Sequence, residues 1–133
     1  MRVVLDTNVF ISGIFFSGPP SQILKAWANK KFQLVLSQPI LDEYQRVSEE
    51  LSSKFSSIDI SQILDFVMIH GLFVDTRDIS ITVCDDPDDD KFIECAVAGN
   101  CKNIISGDKH LLKLSEYRGI SVQTPRDFVD RHL

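Results

Sequence analysis

Residues 2–8 are Arg2-Val3-Val4-Leu5-Asp6-Thr7-Asn8, an apolar run that ends in an aspartate. The apolar residues before Asp6 predict a buried β-strand, and further apolar residues follow Asn8. A carboxylate in such surroundings is costly unless it has a partner. An aspartate that only turns the chain at a strand end is the alternative, because Asp favours turns. We favour a functional role for Asp6, since ionisable groups at strand ends often form binding sites.

Strands and helices alternate along most of the remaining chain. A loop is predicted after the first strand because it contains Gly13, Gly18, Pro19 and Pro20. The predicted strands cover residues 3–5, 32–36, 73–75, 103–106 and 120–123. The predicted helices cover about residues 21–30, 38–51, 60–69, 86–98, 108–114 and a short segment from 125. This order predicts an α/β fold with a largely parallel sheet that helices cover on both faces.

The composition indicates one globular domain that spans residues 1–133. Of the 133 residues, 44% are apolar and 25% are charged, which is enough to build a single core. No apolar stretch reaches transmembrane length, and Asp6 and Asn8 interrupt the apolar start, so we expect a cytoplasmic protein that binds no membrane. The three cysteines form no C-x-x-C pair and are expected to be buried free thiols: Cys84, Cys95 and Cys101.

The negative charge is concentrated in one segment. The formal net charge is −5, and residues 85–90 contain five aspartates. These five belong to the 19 acidic residues, and the other 14 balance the 14 basic ones. A low pI usually argues against nucleic-acid binding, which depends on Lys and Arg at phosphates. Metal ions bound to the acidic segment would weaken that argument.

Four acidic residues lie where a predicted strand ends or a helix begins: Asp6, Glu43, Asp90 and Asp108. In an open α/β sheet, the carboxyl ends of parallel strands meet at one crevice, where ligands bind. Carboxylates gathered there repel each other unless a cation joins them, and a set of oxygen ligands favours Mg²⁺ or Mn²⁺. The pattern therefore indicates metal-dependent phosphodiester chemistry.

Helix geometry separates Glu43 from its neighbour Asp42. The apolar stripe of this predicted helix consists of Ile40, Tyr44, Val47 and Leu51. Glu43 flanks the stripe, whereas Asp42 points away from it and is expected in solvent. A glutamate at the rim that pairs with a lysine is the alternative to a functional Glu43.

The segment of residues 85–90 contains more aspartates than one helix start needs. Asp86 precedes a proline and suits an N-cap, and Asp88 and Asp89 lie in the first turn, where the helix dipole favours them. Asp90 lies beyond the capping positions, so we select it for the site. Asp89 remains a competitor, because a helical wheel places it nearer the apolar face.

Asp108 follows a strand and Ser106-Gly107, and it precedes a helix, so capping alone would explain it. Its position at a third strand end keeps it a candidate, because one residue can serve both roles. The three histidines lack zinc-ligand spacing. The motifs of serine hydrolases, P-loops and dinucleotide-binding folds are also missing from the sequence.

Four short segments, taken in order, resemble the PIN-domain ribonucleases. They are residues 5–11, Glu43, residues 89–93 and residues 105–108. The similarity covers nearly the whole chain and is greatest to bacterial and archaeal PIN proteins regarded as toxins of toxin–antitoxin pairs. This resemblance implies a compact α/β/α sandwich with a parallel central sheet.

The resemblance also implies roles for individual residues. Mg²⁺ or Mn²⁺, as one or two ions, would be held by Asp6, Glu43, Asp90 and Asp108, with Asp89 as the alternative to Asp90. Hydrogen bonds from Thr7, Asn8 and Ser106 would orient these carboxylates. The implied activity is that of an endoribonuclease that hydrolyses single-stranded RNA without a covalent intermediate and leaves a 5′-phosphate and a 3′-hydroxyl.

Two kinds of partner follow from the same resemblance. Members of the family commonly form homodimers, and the toxins bind an antitoxin peptide in an apolar groove. Four apolar residues near the start of the chain are candidates for such a groove, although core burial is the expected place for most of them: Phe10, Ile14, Phe15 and Phe16.

Three other functions compete with this assignment. A phosphatase of the haloacid dehalogenase type needs a second Asp two residues after Asp6, where this chain has Asn8. A two-component receiver domain needs an acidic pair after the first strand, where only Asp6 stands. A catalytically silent PIN-like module that binds RNA or protein would typically lack one of the four acids, and none is missing here.

Overall fold

The computed structural model describes residues 1–55 and 57–133. The strands are β1 (Arg2–Leu5), β2 (Gln33–Leu36), β3 (Leu72–Phe73), β4 (Asn103–Ile105), β5 (Glu116–Tyr117) and β6 (Ile120–Gln123). They form one sheet in the order β3-β2-β1-β4-β6-β5. Neighbouring strands are parallel, except that β5 runs antiparallel to β6. The predicted α/β class with a largely parallel sheet is confirmed.

The helices are α1 (Thr7–Phe15), α2 (Pro19–Ala28), α3 (Gln38–Ser52), α4 (Ile60–His70), α5 (Asp90–Ala98), α6 (Lys109–Leu112) and α7 (Pro125–His132). A short 3-10 turn over Pro87–Asp89 leads into α5. Among residues 1–55 and 57–133, no helix has both the length and the apolar character needed to cross a membrane.

The predicted loop after the first strand is wrong, because α1 begins there directly after Asp6. The Asp6 carboxylate accepts the Asn8 N–H and caps the helix, and three apolar residues of its first turns are buried against the core: Val9, Phe10 and Ile11. Gly13 allows α2 to pack closely, since a Cβ at this position would lie 2.6 Å from Leu24 Cδ1. Capping and burial therefore outweigh the weak helix propensity of glycine.

Two further differences concern short strands. The strand predicted at 73–75 is Leu72–Phe73 instead. The edge strand Glu116–Tyr117 was not predicted, because two residues carry no alternating pattern. It pairs with β6 through a tight turn in which Arg118 and Gly119 both have positive φ.

The centre of the sheet is the most deeply buried part of the protein. The apolar residues of β1, β2 and β4 have no more than trace exposure, as expected for parallel strands that are covered on both faces. Cys95 and Cys101 are buried free thiols, as predicted, whereas the free thiol of Cys84 is only half-buried. This rigid centre carries the strand ends from which the candidate site is built.

Candidate functional site

The carboxyl ends of the two central strands bring Asp6 and Ser106 together. Strands β1 and β4 are parallel neighbours with Leu5 beside Ile105, and the Asp6 N–H continues the ladder to the Ile105 carbonyl at 2.9 Å. The Ser106 hydroxyl donates to Asp6 Oδ2, and the Asp108 N–H donates to Ser106 Oγ at 2.9 Å. Ser106 therefore links the Asp6 carboxylate to the backbone of Asp108.

Asp6 is a buried carboxylate whose hydrogen bonds do not fully offset the cost of burying its charge. It is only 5% exposed, and its Oδ1 accepts the Asn8 N–H at 2.9 Å. Burial raises the pKa of Asp6; the hydrogen bonds from Ser106 and Asn8 oppose this shift, and repulsion from Asp108 and Glu43 adds to it. The net direction is upward, so the site disfavours the charge on Asp6 when no cation is present.

Helix α3 brings Glu43 to the same edge of the sheet. The neighbouring residue Tyr44 is fully buried and donates a hydrogen bond to the Leu5 carbonyl, directly before Asp6. The Glu43 side chain is 17% exposed, whereas Asp42 lies in solvent, as the helix geometry predicts. Glu43 pairs with a lysine, since its Oε2 lies 2.5 Å from Lys91 Nζ.

Asp90 binds the loop that precedes helix α5. It is 6% exposed, and its Oδ1 accepts the N–H groups of Val83 at 3.1 Å and Cys84 at 2.9 Å. Two backbone donors on one carboxylate oxygen make Asp90 an anchor between this loop and α5. These contacts were not visible in the sequence, because the loop has no regular pattern.

Asp89 is a partly buried carboxylate of the acidic segment. Burial raises its pKa to about 6, with repulsion from Asp108, Asp86 and Asp6 in the same direction and Lys91 opposing them. Its Oδ2 is buried and, among the described residues, has no hydrogen-bond partner. A buried carboxylate oxygen without a donor is costly and suits a cation that is not part of the chain.

Asp108 caps a helix, and its role in the site stays a prediction. Its Oδ1 accepts the His110 N–H at 2.8 Å and so caps α6. Its charge also raises the pKa of Asp6 and of Asp89. The capping bond occupies one oxygen and does not remove Asp108 from the site.

The three predicted supporting residues differ in what they contact. Ser106 bonds Asp6 through its hydroxyl, whereas Asn8 bonds Asp6 through its backbone N–H and has an exposed side chain. Thr7 is buried, and its Oγ1 has no hydrogen-bond partner within the described part of the chain. Only Ser106 therefore orients a carboxylate through its side chain.

The acidic residues offer the oxygen ligands that a hard cation prefers, although their side chains are not arranged as a complete coordination site. Within residues 1–55 and 57–133, no group of three or more His, Cys, Asp or Glu side chains is arranged to hold a metal ion. The donors are nevertheless all oxygens, Asp89 has an unsatisfied one, and the charges of Asp6, Asp89 and Asp108 oppose each other. Such a set suits Mg²⁺ or Mn²⁺.

Comparisons with known proteins concern the sequence of the whole chain and its fold. The chain is 32% identical to the uncharacterized protein MJ1680 of Methanocaldococcus jannaschii, over 98% of this chain and 90% of that protein. Its fold matches a chain in the crystal structure of VapBC2 from Rickettsia felis bound to a DNA fragment from its promoter. The TM-score is 0.58 at 16% identity, over 93% of this chain and 98% of that one.

The family assignment follows from a match over most of the sequence. The family described as "PIN domain" matches residues 2–110, a range that includes all four predicted acids and Asp89. PIN domains are generally nucleases, and the family generally uses divalent metal ions. The chain belongs to the PIN domain family.

Proposed function

We propose that this protein is a metal-dependent endoribonuclease that hydrolyses phosphodiester bonds of single-stranded RNA. The observations that carry the proposal are the burial of Asp6 at the carboxyl edge of a PIN-domain sheet and the buried Asp89 Oδ2, which has no hydrogen-bond partner among the described residues. Buried carboxylates at such an edge suit a bound divalent ion. RNA as the substrate rests on the sequence resemblance to PIN ribonucleases.

The residues that we propose to hold Mg²⁺ or Mn²⁺ differ in two respects from the sequence prediction, because Asp89 takes the place of Asp90 and Glu43 is not counted as a ligand. Asp6, Asp89 and Asp108 are the proposed ligands, and Glu43 lies beside them. We assign Asp90 to anchoring the loop, because its Oδ1 already accepts two backbone N–H groups. When bound, the ion supplies an activated water and offsets the charge that develops on the attacked phosphate.

The protein itself orients the Asp6 carboxylate and buries it in surroundings of low dielectric constant. Ser106 and the Asn8 N–H hold the Asp6 carboxylate in one position, and the Ser106 hydroxyl accepts the Asp108 N–H in turn. Because Asp6 is buried, its charge acts on a cation with little screening by water. No side chain is required as a nucleophile in this scheme.

The test is cleavage of a labelled, unstructured RNA in Mn²⁺, Mg²⁺ or EDTA by the wild type and by Asp6→Asn. We expect metal-dependent cleavage that Asp6→Asn lowers by at least about a hundredfold, since the variant removes a charge that binds the ion. Circular dichroism verifies that the variant is folded. Equal cleavage by both proteins would indicate a contaminant. Absence of both cleavage and Mn²⁺ binding would favour a silent PIN-like binding module.

A second candidate role is that of a toxin controlled by an antitoxin protein. The observations that favour it are the fold match to a chain of VapBC2 and an apolar groove of about 540 Å³ between α1, α2 and α4. Of the residues proposed from the sequence, Phe10 and Ile14 line this groove, whereas Phe15 and Phe16 lie outside its lining and Phe16 is exposed. Induced expression should then arrest growth of a bacterial host, and Asp6→Asn should abolish the arrest.

A further inference from the structure

A small groove lies between the loop that precedes the 3-10 turn and helix α6 with the residues directly after it. Its volume is about 190 Å³, and it is lined by Val83, Cys84, Asp85, His110, Lys113 and Leu114. Both of its walls are connected to the candidate site. Asp108 caps α6, and Asp90 accepts the N–H groups of Val83 and Cys84 in the loop. A ligand in this groove would therefore lie next to the proposed centre.

One carboxylate oxygen of the groove faces two basic side chains. Asp85 Oδ2 lies 3.8 Å from His110 Nδ1 and 3.7 Å from Lys113 Nζ. Both distances are too long for hydrogen bonds, and the three side chains are all more than half exposed. Exposed pairs of this kind contribute little to stability. Asp85 can therefore give up its place beside these two basic groups to another anion at little cost.

Lys91, which directly follows the acidic segment, is by contrast held by other groups. Its Nζ lies 2.5 Å from Glu43 Oε2, 2.9 Å from Asp88 Oδ2 and 2.8 Å from the Asp88 carbonyl oxygen. An ammonium group has three hydrogen-bond donors, so these contacts use all of them. The Lys91 side chain is 12% exposed, against 77% for that of Lys113. Of these two lysines, Lys113 is therefore the one that can receive a ligand from solvent.

The groove combines the contacts that a nucleotide of an unpaired RNA strand uses. An ammonium group such as that of Lys113 binds backbone phosphates. Unpaired bases stack on flat side chains, histidine among them, and the His110 side chain is 67% exposed. Val83 adds an apolar surface, since it lines the opposite wall and is 39% exposed. A positive charge beside a flat and an apolar surface fits a nucleotide better than it fits a bare anion.

We propose that this groove binds one nucleotide of the single-stranded RNA next to the bond that is cleaved, with Lys113 at its phosphate and the His110 ring beside its base. The phosphate replaces the Asp85 carboxylate as the anion beside the two basic side chains. The inference rests on the proposed ribonuclease function and specifies how the substrate is positioned.

The test is fluorescence anisotropy of a labelled, unstructured RNA with the full-length protein in EDTA, where metal-dependent cleavage is absent, at several salt concentrations. Lys113→Met should weaken binding at least about fivefold and reduce the salt dependence by about one phosphate contact, a slope of about 0.7. Lys102→Met is the matched control, because this exposed lysine precedes β4 at the opposite edge of the sheet. Asp85→Asn should strengthen binding at least about threefold, and more than Asp130→Asn, which removes an equal charge from α7.

The contact with the base has its own pair of variants. His110→Ala should weaken RNA binding at least about fivefold, whereas His110→Phe keeps a flat ring and should bind within about threefold of the wild type. Equal affinities of these two variants would overturn the base contact. Circular dichroism verifies that each variant is folded, as expected for substitutions of exposed side chains.

The possible results separate this inference from the proposed function. Equal effects of Lys113→Met and Lys102→Met, or of Asp85→Asn and Asp130→Asn, would overturn the inference, as would a wild type that binds no RNA in EDTA. If that wild type still cleaves RNA in Mn²⁺, the proposed function stands without this groove. RNA binding that follows every expectation, with no cleavage in Mn²⁺, would support the nucleotide site and contradict the nuclease.

Discussion

The Tyr44 hydroxyl donates a hydrogen bond of 2.5 Å to the carbonyl oxygen of Leu5. Leu5 precedes Asp6 and Tyr44 follows Glu43, so this contact fixes the end of β1 relative to helix α3. The Tyr44 ring also stacks on Phe10, with 4.1 Å between ring centres and 7° between planes. Two acidic residues that are distant in sequence are thereby held at one edge of the sheet.

Removal of this hydrogen bond should weaken both the fold and the site. Tyr44→Phe keeps the stacked ring and leaves the Leu5 carbonyl without its buried donor, which costs about 1–3 kcal/mol in the free energy of unfolding. Urea unfolding measures the loss. Tyr117→Phe, on the edge strand β5, is the control and should change stability by less than about 0.5 kcal/mol. Equal effects of the two substitutions would contradict a role for the Tyr44 hydroxyl.

The raised pKa of Asp89 predicts a pH-dependent effect on stability without metal. Burial, then Asp108, Asp86 and Asp6, raise this pKa from 3.8 to about 6. The folded protein therefore holds the proton more tightly than the unfolded chain. Through this group, stability falls as the pH rises from 3.8 to about 6, and the loss is complete above that range.

Asp89→Asn should remove this penalty. In EDTA at about pH 7.5, we expect the variant to be more stable than the wild type by on the order of 0.5–1 kcal/mol, a value reduced for solvent screening of a partly exposed group. Near pH 4 the two proteins should have the same stability. Thermal unfolding at both pH values measures this, with Asp130→Asn on α7 as a control for the lost charge. A variant less stable at the higher pH would refute the interpretation.

The packing of α1 against α2 should be sensitive to a single methyl group. In Gly13→Ala, the new Cβ would lie 2.6 Å from Leu24 Cδ1 and 2.8 Å from the Pro20 carbonyl oxygen. We expect a loss of about 1–3 kcal/mol in the free energy of unfolding, as for other overpacked sites. Gly107→Ala is the control, since its Cβ would meet nothing within 4 Å. Similar stability of the two variants would show that α1 and α2 accommodate the extra methyl group without loss of stability.

The anchoring of the loop by Asp90 can be tested by hydrogen exchange. Asp90→Ala removes the acceptor of the Val83 and Cys84 N–H groups, so both amides should exchange at least about tenfold faster. Asp90→Asn keeps an acceptor oxygen and should protect them better than Asp90→Ala does. Unchanged exchange in Asp90→Ala would mean that the loop is held by other contacts.

The sequence was sufficient where local pattern and burial agree. The strands that end at Asp6 and Ser106 are buried on both faces, so their apolar runs were recognised within a residue of their observed ends. The family was recognised from the residues at these two strand ends together with Glu43 and residues 89–93. Helix α1 was missed because Gly13, Gly18, Pro19 and Pro20 suggested a loop. This helix is stabilised by its N-terminal cap and by tertiary burial of its apolar residues, and helix propensity accounts for neither.

The choice between Asp89 and Asp90 could not be made from the sequence for a different reason. A 3-10 turn precedes α5, so a regular helical wheel does not give the directions of both side chains. Asp90 also bonds N–H groups of an irregular loop, and Lys91 pairs with Glu43 on another helix. Both are tertiary contacts that periodicity does not reveal, although the wheel did retain Asp89 as a competitor.

The most direct test of the central claim is RNA cleavage in Mn²⁺ by Asp89→Asn and Asp90→Asn, measured side by side. These neighbours lose the same charge, but Asp89 Oδ2 is buried without a hydrogen-bond partner among the described residues, whereas Asp90 Oδ1 accepts two backbone N–H groups. We predict that Asp89→Asn lowers the cleavage rate by at least about a hundredfold and that Asp90→Asn lowers it by less than about tenfold. The reverse order, with Asp90→Asn inactive and Asp89→Asn active, would contradict the account of this site.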